Sequence, residues 1–381
     1  MKDMILRSMK PILIIENCFG VFRYRTGMDR TIEKRIHIFC TSISFIWITN
    51  FIIFCLMPAL KEGIKLPEIL LEELPWQIIT LQYAATLLIG LTQKNKCRRI
   101  IGLLSDVDFR LQANYVENIY RDSFKKALYL LIIYFLFCIS IFIIDLLTSD
   151  GYRFEYVLYL LVYFERKIEI TTFLYTMFMF RYRLLLIEKQ LIEILKRQSS
   201  NNHRNKIITF NGVRKVGCGS FKNNISCLAL SYNNIGETCH ILNTAYNFLL
   251  STIPVSVFIF IISTFWTSLS CFKRDQNIKA LIRIVIWSFS ELTTIIILSM
   301  CCEKLLTVRR KIKSVLYKIL NCDFFSKELH HETKAFLELI DLWPLSIYAY
   351  DMYQINFKFV LNFMGICTSY LIIIIQINNF I

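Results

Sequence analysis

Ser369-Tyr370-Leu371-Ile372-Ile373-Ile374-Ile375-Gln376-Ile377 is a polar-aromatic pair, a five-residue aliphatic run and then a glutamine. It lies in a segment, 360–380, apolar enough to cross a bilayer. Gln376 places a primary amide near the outer end of that helix. An unsatisfied amide in hydrocarbon costs several kcal/mol, so it needs a neighbouring helix or a water-filled lumen as partner. The chain closes five residues later, and the helix is expected to end as it leaves the lipid.

The rest of the chain agrees with a membrane setting. Of 381 residues 55% are hydrophobic, the mean hydropathy is +0.48, and there are only 11 Gly and 6 Pro. The apolar residues come in long blocks with charges between them. That pattern predicts several spans of about 20 residues each, so the bilayer lipid is a partner in its own right. The net charge of +15 then reflects basic cytoplasmic loops rather than nucleic-acid binding. Thirteen cysteines are scattered without zinc spacing, and only Cys55 and Cys271 fall near the outer side, so free thiols are expected. The first 35 residues carry eight Lys or Arg and no sustained apolar core, so no cleavable signal peptide is expected.

The fold class is all-α: a polytopic membrane protein with seven transmembrane helices and cytoplasmic helical extensions. The spans are 36–60, 76–93, 127–148, 154–180, 244–270, 280–301 and 360–380. Segments 1–35, 94–126, 181–243 and 302–359 together hold 35 Lys and Arg, and the opposite loops hold 6. Positive charge stays inside, which predicts the N-terminus inside and the C-terminus outside. A G-protein-coupled receptor has the reverse orientation, and no Asn-Pro occurs here. The organisation is a 1–35 cytoplasmic tail, spans one to four within 36–180, and a 181–243 cytoplasmic loop with a helical extension. Spans five and six follow within 244–301, then a 302–359 cytoplasmic helical region and the last span within 360–381.

The inner segments contain structure. Leu184–Arg197 continues the fourth helix with apolar residues at helical spacing. Leu305, Val308, Ile312, Val315, Leu316, Ile319 and Leu320 form a stripe opposite Arg309, Arg310, Lys311 and Lys313, and Phe336, Leu339 and Ile340 form another. Such stripes bury themselves on the inner leaflet, on each other, or on other subunits. Gln198–Asn224 is polar and reads as a loose loop, and the sequon Asn224-Ile225-Ser226 falls on the inner side.

The topology, the long loop before the fifth span and the final Ser369-Tyr370, five apolar residues and Gln376-Ile377 resemble the insect gustatory receptor family, within the insect chemoreceptor superfamily. Pro344–Asn356 resembles the family's approach to that signature, and Arg181-Tyr182-Arg183-Leu184 is similar to its exit from the fourth span. Ser369 stands in place of the family's Thr and Ile377 in place of its Phe, which loses a ring. The resemblance implies a ligand-gated cation channel for a small-molecule tastant, in the plasma membrane of a sensory neuron. It implies a homo- or hetero-tetramer with other gustatory receptor subunits, with the last helix lining the pore and no cofactor. The odorant branch of the superfamily is the alternative; a seven-helix transporter is the alternative of another class, although no half-repeat is visible.

Ser369, Ile373, Gln376 and Phe380 share one helical face. With Tyr370 and Ile377 they are the expected pore and gate, where apolar rings stop ions by dewetting and amides help hydrate an open lumen. The plainer alternative is that Gln376 bonds a neighbouring helix. Glu165, Arg166, Lys167 and Glu169 fall inside the fourth span. Glu165 and Glu169, with Trp266, Arg283 and Trp287, are the expected ligand contacts, since few polar groups among aromatic walls suit a small molecule. The competing readings are that the charges are partly exposed because the span begins later, and that Trp76 and Trp266 are interfacial anchors. Nothing suggests an enzyme: adjacent His330 and His331 cannot share a helix face, and Gly217-Cys218-Gly219-Ser220 lacks a phosphate-loop lysine.

Overall fold

The computed structural model describes residues 2–24, 30–51, 66–111, 116–148, 154–208, 219–274, 278–322 and 327–380. The chain is helical almost throughout: α1 Lys2–Cys18, α2 Arg30–Phe51, α3 Leu66–Arg110, α4 Val116–Thr148, α5 Phe154–Ile208, α6 Gly219–Arg274, α7 Ile278–Leu320, α8 Lys327–Leu342 and α9 Phe357–Phe380. A two-stranded hairpin, β1 Tyr348–Ala349 and β2 Tyr353–Gln354, precedes α9.

Five of the described helices contain stretches long and apolar enough to cross a membrane, and α3, bent by 68° between Gly90 and Thr92, adds a sixth. The seven expected spans fall on α2 to α7 and α9. The part of the first beyond Phe51 lies outside the described residues. At 1.5 Å rise per residue, a bilayer core of about 30 Å needs about 20 residues. Helices of 45, 55, 56 and 43 residues (α3, α5, α6, α7) therefore project well beyond it.

The projecting ends pack on one another. Leu184, Ile187, Leu191 and Ile194 of α5, Leu305, Val308, Ile312, Leu316 and Ile319 of α7, and Phe336 and Ile340 of α8 are all buried in one core. The amphipathic stripes thus find their cover inside the subunit, not on the leaflet. Arg309 of α7 caps α8 by donating to the Ile340 carbonyl at 3.0 Å. Arg183, Asp108 and Tyr120 tie α5, α3 and α4, with Arg183 2.6 Å from the Asp108 carboxylate. Burial pushes the Tyr120 hydroxyl above its usual range, so it serves as a donor.

One expectation is corrected. Gln198–Ile208 is helix, continuous with α5, and Gly219–Asn224 opens α6, so neither stretch is loop; residues 209–218 lie outside the description. The basic N-terminal stretch is itself structured. Ile5, Met9, Ile12 and Leu13 repeat at helical spacing on a buried face of α1, which packs on α4 and α5. The chain then turns at Gly20, whose φ of +82° suits glycine, and a Cβ there would meet the Cβ of Cys40 at 3.0 Å. The turn delivers Arg23 to the interior.

The hairpin turns through Tyr350 and Asp351, both with positive φ, and docks on α6. Trp343 Nε1 donates to Asn233 at 2.8 Å, Tyr232 donates to the Trp343 carbonyl at 2.9 Å, and Asn243 accepts from the Tyr348 amide at 3.1 Å. Gly236 makes room for the Trp343 ring, since a Cβ there would lie 2.4 Å from it.

Candidate functional site

A little over one turn of α5 carries a cluster of polar chemistry into the bundle. Glu165, Arg166, Lys167 and Glu169 of α5 are each no more than 2% exposed, so the expectation of partly exposed charges from a later-starting span fails. Three of them, Arg166, Lys167 and Glu169, join ion pairs. Arg166 reaches Glu291 of α7 at 2.7 Å and Ser256 of α6; Lys167 reaches the same Glu291 at 3.0 Å and also Thr294. Arg23 pairs with Glu169, lies 3.6 Å from Glu16, and sits over the Tyr246 ring at 4.5 Å. Thr86 of α3 donates to the other oxygen of Glu169 at 3.2 Å. Charges at such depth persist only when paired, because an isolated ion in a low-dielectric interior is strongly penalised.

Glu165 differs. Both its oxygens are buried without a hydrogen-bond partner among the described residues, and so are both polar atoms of Gln82 on α3. Towards the N-terminal end of α5 from them is an aromatic cluster. Trp76 stacks on Tyr159 at 5.2 Å and meets Trp287 edge-on at 4.6 Å, while Tyr163 meets Trp287 at 4.5 Å and Phe260 closes on Trp76 at 5.8 Å. Gln77 donates to Tyr159 at 3.1 Å.

Trp287 is therefore inside the bundle with Glu165 and Glu169. Trp76, read from sequence as an interfacial anchor, belongs to the same cluster. Trp266 is half-buried and, among the described residues, makes no ring contact with that cluster; the Arg283 side chain lies outside the described residues. Sequence reasoning missed Arg23, Glu16 and Glu291. A lone glutamate in an apolar span was a visible signal for Glu291; Arg23 and Glu16 carried no such mark, lying in a stretch that read as a tail.

On α9, Ser369 donates back to the Gly365 carbonyl at 3.0 Å, and Tyr370 meets Phe258 of α6 edge-on at 5.2 Å. Ser369, Ile373 and Gln376 are exposed in the single chain, on the face they share. The side chains of Ile377 and Phe380 lie outside the described residues.

A helical bundle spanning the membrane, with an aromatic and charged interior, is the frame of a membrane receptor. The family model of the 7tm chemosensory receptors matches residues 9–378, and the chain belongs to that family. It is thus a multi-pass receptor of the sensory-neuron plasma membrane, not an enzyme. No curated protein matches it in sequence. Among solved structures it is similar to the insect olfactory receptor OR5 from Machilis hrabei, with a TM-score of 0.67 at 14% identity over 97% of this chain and 98% of that one. It is also similar to OR5 in complex with eugenol, with a TM-score of 0.68 at 14% identity over 99% of each chain.

Proposed function

We propose that the protein is a gustatory receptor acting as a ligand-gated cation channel, opened by a small-molecule tastant and assembled as a homo- or hetero-tetramer with other gustatory receptor subunits. The observation that carries the reading is the Ser369-Tyr370 to Gln376-Ile377 signature on a helix whose Ser369–Ile373–Gln376 face is uncovered in the single chain. Four such faces around an axis form a lumen, with Gln376 and Ile377 as its narrowest part. Tastant enters the bundle beside Glu165, Glu169 and Trp287, with Trp266 and Arg283 as further contacts. The eugenol-bound relative supports a small molecule as the agonist class. The N-terminus lies inside and the C-terminus outside.

Recording from excised patches of cells expressing the chain tests the channel. Tastant-evoked cation current without added nucleotide is expected, whereas saturable uptake with no conductance contradicts it. Tags at residue 2 and after Ile381, stained on intact cells, test the orientation: only the C-terminal tag should label.

A further inference from the structure

The partners of α3 and α5 set their register. Gln77 bonds Tyr159 and, further along both helices, Thr86 bonds Glu169, so the two helices run parallel here. One turn before Thr86 and Glu169, on the same faces, stand Gln82 and Glu165. These two side chains are at one level, 2% and 1% exposed, and neither bonds the other or any described group. About 6 Å inward lies the Arg23–Glu169 pair, and about 9 Å outward the Trp76–Tyr159 stack, at 1.5 Å per residue.

The described cations around this level are all committed to other carboxylates. Arg23 is committed to Glu169 and Glu16, while Arg166 and Lys167 are committed to Glu291. Among the described residues, Glu165 is the one carboxyl group of the network that no cation reaches within ion-pair distance. A neutral ligand supplies it with no counter-charge. An ammonium group does, stabilising its charged form and offering donors to Glu165 and to the Gln82 carbonyl while its apolar portion extends towards the aromatic cluster.

We propose that the ligand seated between Glu165 and Gln82 is a protonated amine carrying an apolar or aromatic portion. The proposal rests on the reading of the bundle as a ligand-gated receptor and adds the chemical class of its agonist.

The test compares 2-phenylethylamine with its neutral counterpart 2-phenylethanol on cells expressing the full chain, together with thermal unfolding of the purified full-length protein. The amine is expected to evoke current at about tenfold lower concentration than the alcohol, and to raise the unfolding temperature. Glu165→Gln should weaken the amine response by about tenfold or more and so erase the preference for amine over alcohol, while Glu165→Asp keeps most of that preference. Unfolding of the Glu165→Gln protein without ligand, no lower than that of the parent, shows that the variant folds. Equal action of amine and alcohol on the parent, failure of the amine to shift unfolding, or a Glu165→Gln receptor with an unaltered amine response overturns the proposal. Current evoked by neutral tastants, with no amine action that depends on position 165, overturns the amine site but leaves the channel standing. Amine stabilisation that depends on Glu165, in a surface-expressed chain that no tastant opens, upholds the site and overturns the channel.

Discussion

Tyr353 donates its hydroxyl, at 3.4 Å, to the carbonyl of Leu250. That carbonyl is the one Pro254 leaves without an intrahelical partner, since proline has no N–H to return to the residue four before it. Burial pushes Tyr353 up to about 12, so the hydroxyl keeps its proton throughout the physiological range. The same ring stacks on Phe359, in the first turn of α9, at 4.7 Å. One side chain therefore joins the weakest point of α6 to the start of the proposed pore helix. Two residues beyond Pro254, Ser256 bonds Arg166 in the charged network.

Tyr353→Phe keeps the stack and removes the bond. A hydrogen bond of this kind is worth about 1 kcal/mol, so the agonist dose-response should shift by about fivefold with surface expression unchanged. An unaltered dose-response would mean that the contact plays no part in gating.

Arg23→Met should be severely destabilising, by about 3–5 kcal/mol, because Glu169 and Glu16 stay buried without their cation. Surface expression and detergent unfolding temperature report it. Adding Glu169→Gln should recover part of the loss, and no recovery would argue that Arg23 acts mainly through its packing on Tyr246.

Gly236→Ala should lower the unfolding temperature, since its methyl meets the Trp343 ring and must displace the hairpin from α6. Gly102→Ala, with nothing within 4 Å of the new carbon, should be neutral or stabilising by up to about 1 kcal/mol. Equal behaviour of the two variants would show that the Trp343 seat is easily rearranged.

At the proposed gate, Ile377→Phe should lower resting current by restoring ring volume to the constriction, and Gln376→Ala should reduce evoked current or alter selectivity. Resting current and selectivity indifferent to both, with protein at the surface, place the constriction elsewhere on α9.

The spans and the amphipathic extensions were legible because both are periodic patterns of apolar residues, readable within one helix. The stripe from Leu305 to Ile319 is an example, although its partner was not: sequence leaves open whether another helix, lipid or another subunit covers it. The pattern Ile5, Met9, Ile12, Leu13 was present too, but its basic neighbours masked it. Pairings such as Arg23 with Glu169, and Arg166 and Lys167 with Glu291, are properties of the folded bundle and leave no local mark. The hairpin was hidden for another reason: its turn takes positive φ at Tyr350 and Asp351 without a glycine to announce it.

The burial of Arg23 also bears on how the chain is made. Its partner Glu169 is 146 residues further on. At roughly 5–20 residues per second, the ribosome takes on the order of 10 s or more to reach that partner. During that interval α1 exists without the bundle that will enclose it, while later helices are being threaded into lipid. The segment α1 must therefore wait, and Arg23 can be locked in place only when α5 arrives carrying its carboxylate.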